Sequence, residues 1–345
     1  MIELKNDALN FTFPKVHPQA SLHFNFQRTL RIPDDGSAYS LPPGLGSFPL
    51  RHVDDYAKNV PAQWIKFGGV ILPMYQSEAM WLSFGSEYVE DHGAAYPFAI
   101  KVAAGKIDAV TGKEWTNAIH KKPQDYMVAP PQPWLDGYCI EKGIIRQFVA
   151  MPLGSGFSAE EQITGKGEYG GLQIIVYPMK REVFEKRFPK IRLAKMMRAS
   201  MAEPLCECLS APLPNMGLAP GGRMEQEIYD DPFDFEDWDT AQASRCFVHI
   251  SNSLVWRAIT GEQPPSTPLT AREYTDAGYP WFSYYDDAAT AMEGAEILKK
   301  LKSVMEMGRS KGDNPLPENE SVTPDRIIQL RNKLKKDQVR EGEWV

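Results

Sequence analysis

The amino-terminal segment alternates apolar and polar side chains. Leu9, Phe11 and Phe13 occupy every second position, and the stretch from Leu22 to Phe26 repeats this spacing. Successive side chains of an extended strand point to opposite faces, so a period of two places these rings on one face. The pattern predicts half-buried β-strands in this part of the chain.

Short apolar runs interrupted by turn residues fill the middle of the chain. Between Gly69 and Asp136 this punctuation is typical of an antiparallel β-meander. Gly143 to Met151 and Leu172 to Tyr177 are rich in β-branched and aromatic residues, and we expect these two buried strands to pair. The prediction is a β-dominated α+β fold with mostly antiparallel sheets, peripheral helices and a helical C-terminal extension.

Two capping boxes mark helix starts. In Ser158 to Glu161 and in Thr270 to Glu273, the first hydroxyl and the last carboxylate can satisfy each other's backbone amides. A longer helix is expected from Ala288 to Met307, capped by Asp287, because apolar residues recur along one helical face. The polar segment after Gly308 is expected to add one more helix.

These patterns predict a β-rich body at residues 1–285, with a possible sub-boundary near 180, and a charged helical extension at 286–345. The chain has 345 residues, of which 43% are apolar and 24% charged, which excludes a disordered class. Four cysteines are too few for a disulfide scaffold. A buried apolar core must therefore supply the stability.

The formal net charge of -7 gives no general attraction to nucleic acid or to an anionic membrane. The apolar stretches are shorter than the roughly 20 residues of a spanning helix, so we predict no membrane insertion. Met1 to Asp7 contains acids and precedes no long apolar run, which argues against a secretory signal. We expect a soluble, cytoplasmic protein whose partner is another protein or a second copy, rather than nucleic acid.

Two oppositely charged runs stand out. Lys180 to Arg198 carries eight bases and two acids, a net charge of +6, whereas Glu225 to Asp239 carries eight acids and no base. Each run is explained most simply as a solvated surface, and the two could dock within one chain or between copies. The clustered carboxylates also leave calcium binding open, although the calcium-loop pattern is absent from the sequence.

A metal site is one alternative for the cysteines. Cys206, Cys208, Cys246 and His249 together offer three thiolates and an imidazole, which is the ligand set of a tetrahedral zinc site. The spacing fits only in part, since Cys246 and His249 would diverge on a strand. Buried cysteines acting as small apolar residues are the simpler interpretation. No cofactor is predicted, with zinc and calcium as the alternatives.

Candidate catalytic residues are Cys139, His52 and His249. A cysteine nucleophile needs a base and an orienting group nearby, and nothing in the sequence selects a pair. A structural role for Cys139 is the simpler interpretation.

Candidate ligand-binding or partner-binding residues come from two segments. Arg223 adjoins a glycine-rich turn whose amides could face a phosphate, or which could be a tight structural loop. An aromatic cluster could form a stacking platform or a core plug. Its members are Trp281, Phe282, Tyr284 and Tyr285.

Several strings resemble a mainly bacterial family of uncharacterised proteins. They are RTLRIPDDG at Arg28 to Gly36, PPGLGSFPLRHV at Pro42 to Val53 and RQFVAMPLG at Arg146 to Gly154. The likeness continues through Gly221 to Met224 and Pro280 to Phe282, so it covers most of the chain. It implies one integrated fold and carries over no activity. We therefore expect a non-catalytic recognition or assembly protein, with a hydrolase-type enzyme built from dispersed His, Cys and acidic residues as the alternative.

Overall fold

The computed structural model describes residues 1–190, 215–286, 288–313 and 319–331. This part of the chain is strand-rich, its sheets are mostly antiparallel and its helices are short. The predicted β-dominated α+β class is therefore confirmed.

The secondary structure consists of many short strands with a few helices between them. The strands, in chain order, are β1 (Ile2–Lys5), β2 (Ala8–Thr12), β3 (Ser21–Thr29), β4 (Ala38–Tyr39), β5 (Gly44–Ser47), β6 (Arg51–His52), β7 (Val70–Met74), β8 (Ala79–Ser86), β9 (Tyr88–Val89), β10 (Ala94–Ala95), β11 (Phe98–Ala104), β12 (Ile107–Asp108), β13 (Met127–Ala129), β14 (Trp134–Leu135), β15 (Gly137–Glu141), β16 (Ile144–Pro152), β17 (Leu172–Pro178), β18 (Met216–Glu225), β19 (Ser244–Asn252), β20 (Trp281–Tyr285) and β21 (Ile327–Arg331). The α-helices are α1 (Ala62–Phe67), α2 (Ala159–Thr164), α3 (Arg181–Arg187), α4 (Ser253–Thr260), α5 (Ala271–Asp276), α6 (Glu296–Lys299) and α7 (Val304–Lys311).

The larger sheet contains ten strands of the described chain. Its order is β1-β2-β3-β8-β16-β18-β4, with β5 beside β3, β14 beside β8 and β15 beside β16. The predicted alternation explains the central strand β3, because Leu22, Phe24 and Phe26 are fully buried while His23 between them is exposed. The strand predictions for β2 and β3 are confirmed.

The second sheet contains seven strands within the described ranges, in the order β12-β11-β17-β19-β7-β6, with β13 beside β11. Strands β11 and β17 are buried along their whole length, as expected for strands covered on both faces. Phe24 of the larger sheet and Val176 of this one belong to the same apolar cluster. The two sheets therefore share one core.

Two predictions of strand pairing are wrong. The segment from Gly69 to Asp136 is not a simple meander, because β7 enters the seven-stranded sheet and the next strand, β8, enters the ten-stranded one. The strands Gly143 to Met151 and Leu172 to Tyr177 exist, as β16 and β17, but they lie in different sheets and do not pair. The period of apolar residues identifies a strand, whereas the strand's pairing partner depends on contacts between residues that are distant in sequence.

Both predicted capping boxes form. Ser158 caps α2 and Thr270 caps α5, each with reciprocal bonds to the glutamate three residues later. Each pair satisfies two backbone donors that would otherwise lack partners at the helix start.

The predicted long helix from Ala288 to Met307 is wrong, and its proposed cap, Asp287, lies outside the described residues. Two short helices, α6 and α7, occupy the second half of this range, and Ser303 starts α7 with a capping box of its own. The first half is extended and bonds to the body, with the backbone N–H of Ala295 donating to the carbonyl oxygen of Cys139 at 3.0 Å. Backbone bonds to the sheet thus replace those of a helix.

The helix predicted after Gly308 stays a prediction, because residues 314–318 and 332–345 lie outside the described residues. Within the described part, Ile327–Arg331 forms strand β21 in parallel pairing with β20. Leu298 and Leu301, from the region predicted as an extension, belong to the main core cluster. The boundary at residue 285 stays a prediction.

Gly294 offers a test of how closely this segment packs on the body. A Cβ added there would lie 2.2 Å from the backbone N of Glu141, so we expect Gly294→Ala to lower the free energy of unfolding by about 2 kcal/mol or more. Urea denaturation measures this change. Gly308→Ala is the matched control, because its Cβ meets nothing closer than 3.5 Å and alanine favours the helix α7. Equal stability changes for the two variants would contradict the packing.

Candidate functional site

An apolar pocket with a volume of about 340 Å³ opens beside the ten-stranded sheet. We call it the tryptophan pocket. This volume is at the lower end for small-molecule sites and suits one aromatic or prolyl group. Its lining residues are Leu41, Pro42, Pro43, Gly44, Trp81, Trp134, Asp136, Phe282 and Leu330.

Strand pairing brings the two indole rings together. Trp81 lies on β8 and Trp134 on β14, whose register places Trp134 opposite Ser83 of β8. The ring centroids are 6.2 Å apart with an interplanar angle of 72°, an edge-to-face arrangement that aromatic rings favour. The two rings form one wall of the pocket.

Backbone bonds fix the opposite wall. The N–H of Leu41 donates to the carbonyl oxygen of Phe282 at 2.7 Å, and the N–H of Phe282 donates back to Leu41 at 2.9 Å. This bridge ties β20 to the loop that contains Pro42 and Pro43. The hydroxyl of Thr29 donates to the carbonyl oxygen of Pro43 at 2.8 Å, which anchors the same loop to β3. The walls are therefore held in place by the main sheet.

Gly44 lies close to the indole of Trp81. A Cβ at position 44 would come within 3.3 Å of Cζ2 of that ring, so glycine permits this close approach. The indole Nε1 of Trp81 is buried and has no hydrogen-bond acceptor within the described part of the chain. A buried donor without a partner costs free energy.

The polar group of the pocket lining is the carboxyl of Asp136, which is only 4% exposed. Gln226 bonds to this residue twice: its Nε2 donates to Oδ2 of the carboxyl at 2.7 Å, and its Oε1 accepts the backbone N–H of Asp136 at 3.0 Å. Burial raises the pKa of Asp136 to about 8, against the opposing effect of hydrogen bonds from Trp134 and Gln226. The carboxyl is therefore mostly protonated and uncharged at neutral pH.

The predicted aromatic cluster divides between core and pocket. Trp281 is fully buried in the core and its indole N–H donates to the hydroxyl of Thr275 at 3.2 Å. Phe282, one position later on β20, lines the tryptophan pocket. Tyr284 packs on Trp134 at 4.7 Å between centroids. Tyr285 takes part in β20 through its backbone. The alternation of the strand thus separates neighbouring residues.

Arg223 lies on β18, where its Nη2 donates to a carboxylate oxygen of Glu141 at 3.1 Å. The glycine-rich stretch before it is part of the same strand rather than a turn. A cradle of amides in a turn is therefore not formed at this position.

The candidate catalytic residues lie apart in the fold. Cys139 is on β15 of the ten-stranded sheet and 1% exposed, and burial raises the pKa of its thiol to about 12. His52 is exposed on β6, an edge strand of the other sheet. A thiol with so high a pKa holds almost no reactive thiolate at neutral pH.

Cys246 and His249 lie on opposite faces of β19. Cys246 belongs to the main core cluster, whereas the imidazole of His249 stacks on Trp64 at 4.8 Å and its Nε2 lies 3.0 Å from the carbonyl oxygen of Gly68. Burial lowers the pKa of His249 to about 4 and raises that of Cys246 to about 12. Cys206 and Cys208 lie outside the described residues, and no cluster of three potential ligands occurs in the described part.

The two oppositely charged runs dock within one chain, over the described part of the basic run. Arg187 of α3 bonds to Asp237 at 2.6 Å and to Asp234 at 3.2 Å. Lys180 donates through Nζ to the carbonyl oxygen of Glu236 at 2.7 Å. The contacts of Arg187 and Lys180 thus join the two runs within one chain, whereas the basic residues after position 190 lie outside the described residues.

Sequence reasoning missed Trp81, Trp134 and Asp136 as site residues. Each stood in a segment assigned to a strand or turn, and no local motif links positions 42, 81, 136 and 282. Their meeting depends on the pairing of β14 with β8 and on the bridge from Leu41 to Phe282. Among the predicted binding residues, only Phe282 of the aromatic cluster lines this pocket.

Comparisons of the chain with family models, with curated proteins and with solved structures returned no match. Among the described residues, no helix is long and apolar enough to span a bilayer.

The raised pKa of Asp136 makes a prediction about pH and stability. At pH values between the ordinary pKa of 3.8 and about 8, the folded protein binds the proton of Asp136 more tightly than the unfolded chain does. This carboxyl therefore makes the free energy of unfolding fall as pH rises. Asp136→Asn removes the titration, so its stability relative to the wild type should rise with pH by up to about 1.4 kcal/mol per unit. Urea denaturation at pH 5 to 8 measures this.

The exposed Asp276, substituted by Asn, is the control and should change stability by less than about 0.5 kcal/mol at every pH. A constant difference between Asp136→Asn and the wild type across this range would show that the carboxyl is already ionised.

Proposed function

We propose that the protein is a non-catalytic recognition protein that binds an uncharged apolar group, supplied by a partner protein, in the tryptophan pocket. The observation that carries this proposal is the pocket itself: two indoles, two prolines and a phenyl ring surround a space that the described residues leave unfilled. Interior packing normally leaves few voids larger than a water molecule. A preformed apolar concavity is the usual feature of a binding site.

The chemistry of the lining favours an uncharged ligand. The carboxyl of Asp136 is mostly protonated near neutral pH and is already bonded to Gln226, so it offers no charge to pair with a cation. Aromatic and prolyl surfaces attract flat, apolar groups such as indole, phenyl or a proline ring. A charged ligand would lose its hydration without compensation.

A partner protein is favoured by the surface around the pocket. Leu330 lines the pocket and is 40% exposed. In the described part of the chain β21 pairs with β20 alone, so main-chain groups of this strand face outward beside the pocket. Extended peptides bind in this way, with backbone bonds along an edge strand and one side chain in a pocket.

The alternative, a hydrolase-type enzyme, receives less support from the geometry. Cys139 and Cys246 are buried thiols of high pKa, and His249 is enclosed between aromatic rings. A nucleophile needs a base within hydrogen-bond reach, and these residues lie on different sheets or opposite faces.

Fluorine NMR of protein labelled with 5-fluorotryptophan tests the pocket directly, with eight tryptophans as reporters. N-acetyltryptophanamide and N-acetylprolinamide serve as uncharged probes. We expect saturable shifts for Trp81 and Trp134, assigned through single Phe substitutions. The resonance of Trp256 should stay fixed, because this side chain is fully buried in a separate cluster.

Leu330→Glu should weaken probe binding at least about tenfold, because it places a charge at the pocket mouth. Ile327→Glu adds the same charge to the opposite face of β21 and should change the Kd by less than about twofold. Equal effects of both variants, or no shifts at millimolar probe, would contradict the proposal. If free N-acetyltryptophanamide binds with micromolar affinity, the ligand is a small molecule rather than a protein segment.

A further inference from the structure

A second, polar pocket lies at the other sheet, beside β11 and β12. Its volume is about 150 Å³, which corresponds to about five water molecules in the liquid. We call it the histidine pocket. It is lined by Lys101, Asp108, Thr111, Lys113, Glu114, Thr116, His120, Lys122, Pro123 and Asp125.

Asp125 orients the imidazole of His120. Its Oδ2 lies 2.7 Å from Nδ1 of His120, and its Oδ1 accepts the backbone N–H of the same residue at 2.7 Å. Because the carboxylate accepts, Nδ1 carries a hydrogen, and Nε2 donates as well only when the imidazole is protonated. The side chain of His120 is 55% exposed, whereas that of Asp125 is 9% exposed. The buried residue thus holds the exposed ring in one orientation.

Lys101 neutralises Asp125. Its Nζ donates to Oδ2 of Asp125 at 2.7 Å, to the carbonyl oxygen of Ala118 at 2.7 Å and to the hydroxyl of Thr116 at 3.1 Å. The ammonium group therefore has three acceptors already, and its side chain is 2% exposed. Such complete satisfaction is what makes a buried ion pair tolerable.

The remaining charges of the pocket lean positive. Lys113 and Lys122 are exposed and neither forms an ion pair within 4 Å in the described ranges. Glu114 lies 3.8 Å from Lys106, which offsets its charge. Asp108 bonds through Oδ1 to the amides of Val110 and Thr111 and to the Thr111 hydroxyl.

The other oxygen of Asp108 is buried and has no hydrogen-bond partner among the described residues. Burial raises the pKa of this carboxyl to about 7, so near neutral pH it carries only part of a negative charge. Its repulsion of an approaching anion is correspondingly reduced.

We infer that the histidine pocket binds a small oxyanion, a phosphate or carboxylate group, contacted by the Nε2–H of the protonated His120 imidazole and by the ammonium groups of Lys113 and Lys122. Two exposed lysines without ion-pair partners in the described ranges line the same pocket as His120, whose ring is fixed by Asp125. A fixed imidazole and mobile lysines are groups that bind oxyanions through charge-assisted hydrogen bonds. This site is independent of the tryptophan pocket, since it lies on the other sheet.

NMR of protein with ¹⁵N-labelled histidine tests the site at constant pH and ionic strength. Inorganic phosphate and acetate are the probes, and chloride is the reference salt. We expect saturable shifts of the His120 ring signals with phosphate, acetate or both, and phosphate alone would identify a phosphate site. His52 is the matched reference, because it is exposed on β6, at the opposite edge of the same sheet.

The double variant Lys113→Gln/Lys122→Gln should weaken the binding of phosphate or acetate, whichever the wild type binds, at least fivefold. Lys58→Gln, an exposed lysine near β6, should leave the affinity within twofold. Asp125 is left unchanged, because its loss would strand the buried Lys101 and threaten folding. Shifts that chloride reproduces, that His52 shares or that the double variant retains would overturn the inference.

Discussion

The antiparallel register between β3 and β8 is the constraint on which the larger sheet and its pocket depend. Eight consecutive residue pairs join these strands, from Leu22 opposite Ser86 to Thr29 opposite Ala79. Side chains alternate between faces, so a slip of one residue would turn Phe24 and Phe26 out of the core. The same slip would carry Trp81 away from the pocket. Burial of the phenyl rings, at roughly 1.5–3 kcal/mol each, therefore also fixes the geometry of the tryptophan pocket.

Two buried carboxyls show how environment sets the chemistry of each pocket. Asp136 lies among aromatic rings with only amide and indole donors, so burial prevails and the raised pKa keeps it uncharged. Asp125 contacts the ammonium group of Lys101 at 2.7 Å, which compensates the charge that burial would otherwise penalise. The first pocket therefore suits an apolar group and the second a charged one, although the same residue type lies at each.

The sequence revealed local structure well and distant contacts poorly. Two kinds of feature depend only on residues a few positions apart: the alternation of Leu22, Phe24 and Phe26, and the capping boxes at Ser158 and Thr270. Each could therefore be predicted from a short stretch of sequence. The partners of β16 and β17 could not, because each strand had several equally apolar candidates. The predicted long helix failed for a similar reason: its residues have helical spacing, but bonds such as that between Ala295 and Cys139 stabilise an extended path.

The affinity that one pocket can supply limits the kind of recognition that it can support. Burial of one indole or phenyl ring supplies roughly 1.5–3 kcal/mol, or about 10- to 150-fold in affinity. A single side chain in the tryptophan pocket therefore cannot hold a partner alone. In the proposed recognition, the remaining affinity comes from the surrounding surface, where Leu330 presents apolar area and β21 presents main-chain groups. In such an interface the pocket selects the partner's anchoring side chain, and the neighbouring strand supplies the contacts that retain it.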